Sequence, residues 1–178
     1  VKIPGGEATY IAMDKKNPDV LFTSSFYGRL RRSEYVDGKW KTEKILTQAG
    51  EGEPELRGQW LAPTLLSAHN DSVLYHGFQF VFKTPDRGAT WKKISPDLTS
   101  YNPKKQGELP YAINFATIST LSESPLKQGL LYAGTDDGNV HVTRNDGHTW
   151  NSIIGNLPRG KHVSRVCASR HNEGTVYL

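Results

Sequence analysis

The stretch Thr84-Pro85-Asp86-Arg87-Gly88-Ala89-Thr90-Trp91 decides the fold, because it recurs as Thr143-Arg144-Asn145-Asp146-Gly147-His148-Thr149-Trp150. Asn145 stands where Asp86 stands. A third, worn copy reads Ser33-Glu34-Tyr35-Val36-Asp37-Gly38-Lys39-Trp40; it keeps the Ser-to-Trp spacing, but its acid and glycine have slipped. The three tryptophans are 51 and 59 residues apart. Short strands repeating at roughly 50 residues are the signature of a propeller-type repeat.

Every position of the box has a turn chemistry. Thr84 and Thr143 end one strand. Asp86 and Asn145 fold their side chains back onto nearby backbone N–H groups and hold the turn. Gly88 and Gly147 accept positive φ without steric cost. Thr90 and Thr149 then lead into the next strand, and Trp91 and Trp150 cover the turn with a large apolar face. Asp86 is therefore structural on this reading. Two box residues without further acidic ligands do not make a calcium loop.

These residues resemble the Asp-box, or BNR repeat, of pattern S/T-x-D-x-G-x-T-W, found in sialidases, sortilin-type receptors and xyloglucan-hydrolysing propellers. The flanking runs Leu66 to Gly77, Leu121 to Pro125 and Leu130 to Gly134 fit the same pattern. The whole chain looks like a piece of the large, secreted, sortilin-like BNR proteins often labelled glycosyl hydrolase. The resemblance implies a β-propeller, a secreted, periplasmic or cell-surface location, and a carbohydrate or peptide ligand.

The strands can be laid out as four repeats, near residues 1–50, 51–100, 101–158 and 159–178, the last incomplete. The first holds strands at Ala8–Met13, Val20–Ser24, Arg29–Ser33 and Trp40–Leu46. The second holds Leu61–Leu66, Ser72–His76, Phe80–Lys83 and Thr90–Ile94, and the third Phe115–Leu121, Leu130–Ala133, Val140–Thr143 and Thr149–Ile153. The fourth opens with His162–Ala168 and Thr175–Leu178. Period-two apolar patterns and Gly/Asn/Asp turns support each strand. No apolar period of 3.6 persists, so no helix is expected. The fold class is all-β, about three and a half four-stranded blades of one propeller. Such an arc does not close a ring, so the remaining blades of a parent propeller, or other copies, are expected as partners.

The composition agrees. Gly at 17, Tyr at 8 and Trp at 4 in 178 residues suit a turn-rich β protein. A net charge of +4 is spread among interspersed acids, which describes a solvated face and not a nucleic-acid surface. Cys167 is the only cysteine, so no internal disulfide can form; its apolar setting predicts a small core residue. No transmembrane run is present. The histidines show no metal-ligand spacing, and neither a metal nor a cofactor is expected.

In a four-stranded blade the boxes, between strands three and four, lie on one face. The turns between strands two and three and the blade connections lie on the other, where propellers by resemblance bind ligands. That face gathers Tyr27-Gly28-Arg29, Phe78-Gln79 and Thr135 to Asn139, with the connections Glu51 to Trp60, Pro96 to Tyr111 and Gly155 to Lys161. Arg57 and Trp60, with Tyr27 and Arg29, are the candidate ligand platform: an aromatic face stacks on C–H surface and a guanidinium holds hydroxyls or carboxylates. Core packing is the competing role for Trp60. Asp136 and Asp137 are the candidate catalytic carboxylates. Neighbours on a strand point to opposite faces, so a glycosidase pair would need another acid, such as Glu51, Glu53 or Glu55. A tight hairpin turn explains the same residues. Three functions stay open: a carbohydrate-active propeller, a non-catalytic peptide-binding propeller of sortilin type, and a structural module.

Overall fold

A computed structural model describes residues 10–45, 49–105 and 114–178. Three four-stranded antiparallel sheets follow one another. The first is β1 (Ile11–Met13), β2 (Val20–Ser25), β3 (Arg29–Val36) and β4 (Lys39–Lys44). The second is β5 (Thr64–Leu66), β6 (Leu74–Gly77), β7 (Val81–Thr84) and β8 (Lys92–Lys93). The third is β9 (Ile118–Glu123), β10 (Leu131–Thr135), β11 (Val140–Thr143) and β12 (Asn151–Ser152). A two-stranded sheet of β13 (Cys167–Ala168) and β14 (Val176–Tyr177) follows. The only helical segments among the described residues are single 3-10 turns at Phe26–Gly28 and Pro103–Lys105. This is a β-propeller arc. Of the expected strands, the ends at Ala8, Thr9 and Leu46 fall outside the described residues.

The second strand of each sheet carries an apolar pair whose members face opposite ways, as strand pleating requires. Leu74 packs toward the first sheet, in a cluster with Val20, Phe22, Leu30 and Ile45. Tyr75 packs toward the third, with Val81, Ile94, Leu98, Ile118 and Leu131. Tyr132 turns the other way, into a cluster with Leu130, Val140, Val142, Val166 and Ala168. Among the described residues three clusters are thus junctions between sheets, and a fourth, Phe78, Phe80 and Phe82 with Leu56 and Trp91, lies within the second repeat.

The boxes of the second and third sheets are built alike. The Thr84 hydroxyl donates to Asp86 Oδ1 at 2.8 Å and accepts from Gly88 N–H at 2.8 Å; Thr90 N–H donates to Asp86 Oδ1 at 2.8 Å. In the other box the Thr143 hydroxyl donates to Asn145 Oδ1 at 3.0 Å, Gly147 N–H to Thr143 Oγ1 at 2.9 Å, and Thr149 N–H to Asn145 Oδ1 at 3.0 Å. One bond reverses. The Thr90 hydroxyl donates to Asp86 Oδ2, whereas Asn145 Nδ2 donates to Thr149 Oγ1. A hydroxyl serves either way, which is why Asp and Asn are interchangeable.

Three expectations need correction. Trp91 and Trp150, expected to cover their own turns, occupy equivalent half-buried places and do more than that. They bridge sheets: their indole N–H groups donate to Ile45 O at 2.6 Å and Ile94 O at 2.8 Å, each in the preceding sheet. The stretch Ser33 to Trp40 is no box. Ser33 lies inside β3, and Val36 pairs with Lys39 across a two-residue turn of Asp37 (φ 53) and Gly38 (φ 76). Cys167 is exposed, because the pleat turns its neighbours Val166 and Ala168 to the core instead.

Candidate functional site

The turns between second and third strands and the connections between sheets meet on one end of the sheets. There they form a continuous line of contacts. Phe26, Tyr27 and Trp60 make an aromatic group, with Trp60 4.7 Å from Phe26 and 5.5 Å from Tyr27, centroid to centroid. Tyr27 holds a left-handed backbone (φ 59, ψ 29), a conformation costly for a side chain of its size. Its carbonyl presses on Gly58, where a Cβ would lie 2.3 Å from that oxygen, so only glycine admits the approach.

Two side chains fix this group to the second sheet. His76 is fully buried. Its Nε2 faces the Gly28 carbonyl at 3.0 Å and its Nδ1 faces the Thr64 hydroxyl at 2.8 Å. A carbonyl only accepts, so Nε2 carries the proton and Thr64 donates to Nδ1. Burial pulls the His76 pKa down to about 4, against the Gly28 and Pro63 carbonyls, which favour the charged form. Gln79, also buried, accepts Arg57 N–H at 2.8 Å and donates to Glu55 O at 2.8 Å.

Arg57 carries the line onward. Its guanidinium donates to Ala116 O at 3.2 Å, Asp97 Oδ2 at 2.8 Å and Thr99 Oγ1 at 3.3 Å, and its plane lies 4.3 Å from the Tyr101 ring centroid. Arg57 thus pins two connections together and presents Tyr101, which is 46% exposed.

Next to it opens a cavity of about 290 Å³, lined among others by Ser100, Lys105, Phe115, Asp137, Asn139 and Arg159. Ser100 N–H donates to Asp137 Oδ2 at 2.6 Å, and Asn139 Nδ2 donates to Leu98 O at 3.2 Å and Ser100 Oγ at 2.9 Å. Lys105 Nζ lies 5.4 Å from the Phe115 ring centroid. The cavity therefore combines a polar floor, an apolar wall and charges of both signs.

The two adjacent aspartates part company. Asp136 is buried, and both its oxygens are taken by Thr117, from N–H and hydroxyl at 2.8 Å each. Burial raises its pKa, and the Thr117 bonds oppose the rise. Asp136 holds the base of the turn while Asp137 lines the cavity. Glu51 and Glu55 are exposed, and Glu53 pairs with Lys93. None of the three lines the cavity beside Asp137.

Of the candidate ligand residues, Tyr27, Arg57 and Trp60 come together and Arg29 does not. Arg29 begins β3, an inner strand of the first sheet, in a hollow with Leu30, Arg31 and Lys44. Residues 106–111 of the second connection lie outside the described residues. Sequence reading passed over Asp97, Thr99, Ser100 and Asn139 as individuals. The Asp97-to-Thr99 turn, with Thr99 N–H donating to Asp97 Oδ1 at 2.9 Å, was the one local signal available. Among the described residues no group of three or more metal-ligating side chains occurs, and no helix is long and apolar enough to cross a membrane.

No protein-family profile matches the sequence, and no curated protein matches it. Solved structures match in fold. The Niastella koreensis GH74 enzyme superposes with a TM-score of 0.63 at 18% identity, over 91% of this chain and 24% of its own. The GH74 xyloglucanase from Xanthomonas campestris gives 0.59 at 18% identity, over 89% and 25%. An ancestral GH74 enzyme gives 0.61 at 15% identity, over 94% and 22%. The chain thus spans about a quarter of the length of these structures. Such a likeness shows the propeller fold and leaves function to the site.

Proposed function

We propose that this face binds carbohydrate, as part of a glycoside-hydrolase-like propeller that acts outside the cell. The observation that carries the reading is the row of the Phe26, Tyr27 and Trp60 rings, Gly58 packed on the Tyr27 carbonyl, Arg57 with Tyr101, and the cavity at Asp137 and Asn139. Stacking surface beside fixed polar groups is what an extended sugar chain needs: rings take its C–H faces, and carboxylate and amide take its hydroxyls. The GH74 neighbours, one of them a xyloglucanase, support the same ligand class.

Binding is the role that the described residues support. Hydrolysis uses two carboxyl groups flanking the bond, and among the described residues Asp137 is the one acid lining the cavity. Titration calorimetry with xyloglucan oligosaccharides tests the reading. Trp60→Ala and Asp137→Asn should each weaken binding roughly tenfold, about 1.4 kcal/mol. Binding that survives both substitutions at full strength, or a peptide ligand that competes for the same residues, would replace it.

A further inference from the structure

Each junction between sheets reuses one seat. The residue after the fourth strand donates its N–H back to the third strand: Ile45 to Leu30 O at 3.2 Å, Ile94 to Val81 O at 2.9 Å, Ile153 to Val140 O at 2.8 Å. At the first two seats the isoleucine carbonyl accepts the indole N–H of the next sheet's box, from Trp91 and Trp150. The box glycine lies on the same isoleucine: a Cβ on Gly88 would meet the Ile45 side chain at 2.6 Å, and one on Gly147 the Ile94 side chain at 2.7 Å.

At Ile153 only the receiving half is present. Its N–H is bonded and its side chain packs against the cluster of Val140, Val142 and Val166. No described residue donates to its carbonyl. A groove of about 170 Å³, lined among others by Val140, Ile154, Leu157 and Val163 with Lys161 and Arg165, opens beside it. The sheet that would supply the donor has begun. Ser169 N–H donates to Thr175 O at 3.0 Å, just as Ser67 donates to Val73 and Ser124 to Leu130 at 2.9 Å between first and second strands.

We propose that the Ile153 seat docks a further box turn, carried by the third and fourth strands of the repeat that β13 and β14 begin. A second copy is not the occupant, because both boxes of this chain are already seated on Ile45 and Ile94. The seat also specifies its guest. The fourth box residue reaches a charge in the preceding sheet: Arg87 pairs with Asp14 at 2.7 Å, and Asp146 with Lys83. By strand register the corresponding residues of the third sheet are Ser124 and Val142, both uncharged. The seat therefore offers the guest's fourth residue no ion pair, and the guest's glycine and tryptophan carry the contact.

The test uses the full 178-residue chain, isotope-labelled for NMR, and a backbone-cyclised peptide of its residues 78–94, first verified as a hairpin, as the probe. Saturable shifts centred on the Ile153 and Ile154 amides are expected. Trp91→Ala in the peptide should weaken binding roughly tenfold or more. Arg87→Ala in the peptide should leave it unchanged, and Ile153→Lys in the chain should abolish it. A verified hairpin that binds elsewhere, binds equally well without its tryptophan, or does not bind overturns the proposal, and these peptide arms decide even if Ile153→Lys fails to fold.

Discussion

The hairpin of β3 and β4 and the box of β7 and β8 join the same pair of strands in neighbouring sheets, with the same seven-residue step from hydroxyl to tryptophan. They end differently. In the first sheet the strands run on to Val36 and Lys39, and Asp37-Gly38 closes a two-residue turn. There Trp40 packs on its own sheet, 5.3 Å from the Tyr35 ring. In the second sheet the strand stops at Thr84, the box closes on itself, and Trp91 reaches back to Ile45. The first turn stabilises a hairpin; the second joins two sheets. The box is best understood as a latch between repeats, which suits a fold whose larger cores lie at junctions.

The largest test of that contrast is at the two glycines. Both have positive φ, yet a Cβ on Gly38 would meet nothing within 4 Å, while one on Gly88 would strike Ile45. Gly88→Ala should cost about 4 kcal/mol, from left-handed strain plus overpacking, and Gly38→Ala about 1 kcal/mol. Urea denaturation of both variants measures the gap. Equal losses would break the contrast.

The tryptophans come next. Trp91→Ala removes a half-buried ring and the bond to Ile45, and should cost about 3 kcal/mol; Trp40→Ala should cost about 1 kcal/mol. A comparable loss at Trp40 would mean that its hairpin is also a junction.

A pH titration separates the two latched junctions. His76 lies between the first and second sheets, and Ala133 holds the matching place in the third. The folded pKa of His76, about 4, lies below its ordinary value of 6.5. The unfolded chain therefore takes up a proton first as pH falls. Stability should drop from about pH 6.5 and level off below about pH 4, by on the order of 3 kcal/mol. His76→Gln should flatten that slope. An unchanged slope would place the titration elsewhere.

The smallest effect is expected at Asp86. The Thr90 hydroxyl and N–H, then the Thr84 hydroxyl, hold its pKa down to about 2. A depressed carboxylate stabilises above its unfolded pKa, and that contribution fades from about pH 4 toward pH 2. Asp86→Asn should remove this acid-side dependence and leave neutral-pH stability nearly unchanged, since Asn145 already serves in the other box. Strong destabilisation at pH 7 would show that the charge, not the shape, holds the turn.

The propeller class and the two boxes were legible in the sequence because their determinants sit within eight consecutive residues. Hydroxyl, acid or amide, and glycine close the turn locally, so local reading suffices. The first hairpin was misread for a related reason. Spacing to Trp40 matched the box, but Asp37-Gly38 is itself a strong two-residue turn, and strand register gave it precedence. The role of the tryptophans was not legible, since Ile45 lies 46 residues from Trp91. The site divides the same way. Strand pleating was the expected reason for Asp136 and Asp137 to part, but β10 ends at Thr135 and both lie in the tight turn that follows, where packing buried one on Thr117 and left the other at the cavity. The aromatic group, the Arg57 line and the cavity come from connections brought together by the stacking of successive sheets. Bonds such as Arg57 to Asp97, 40 residues apart, have no periodic or local trace for a sequence to show.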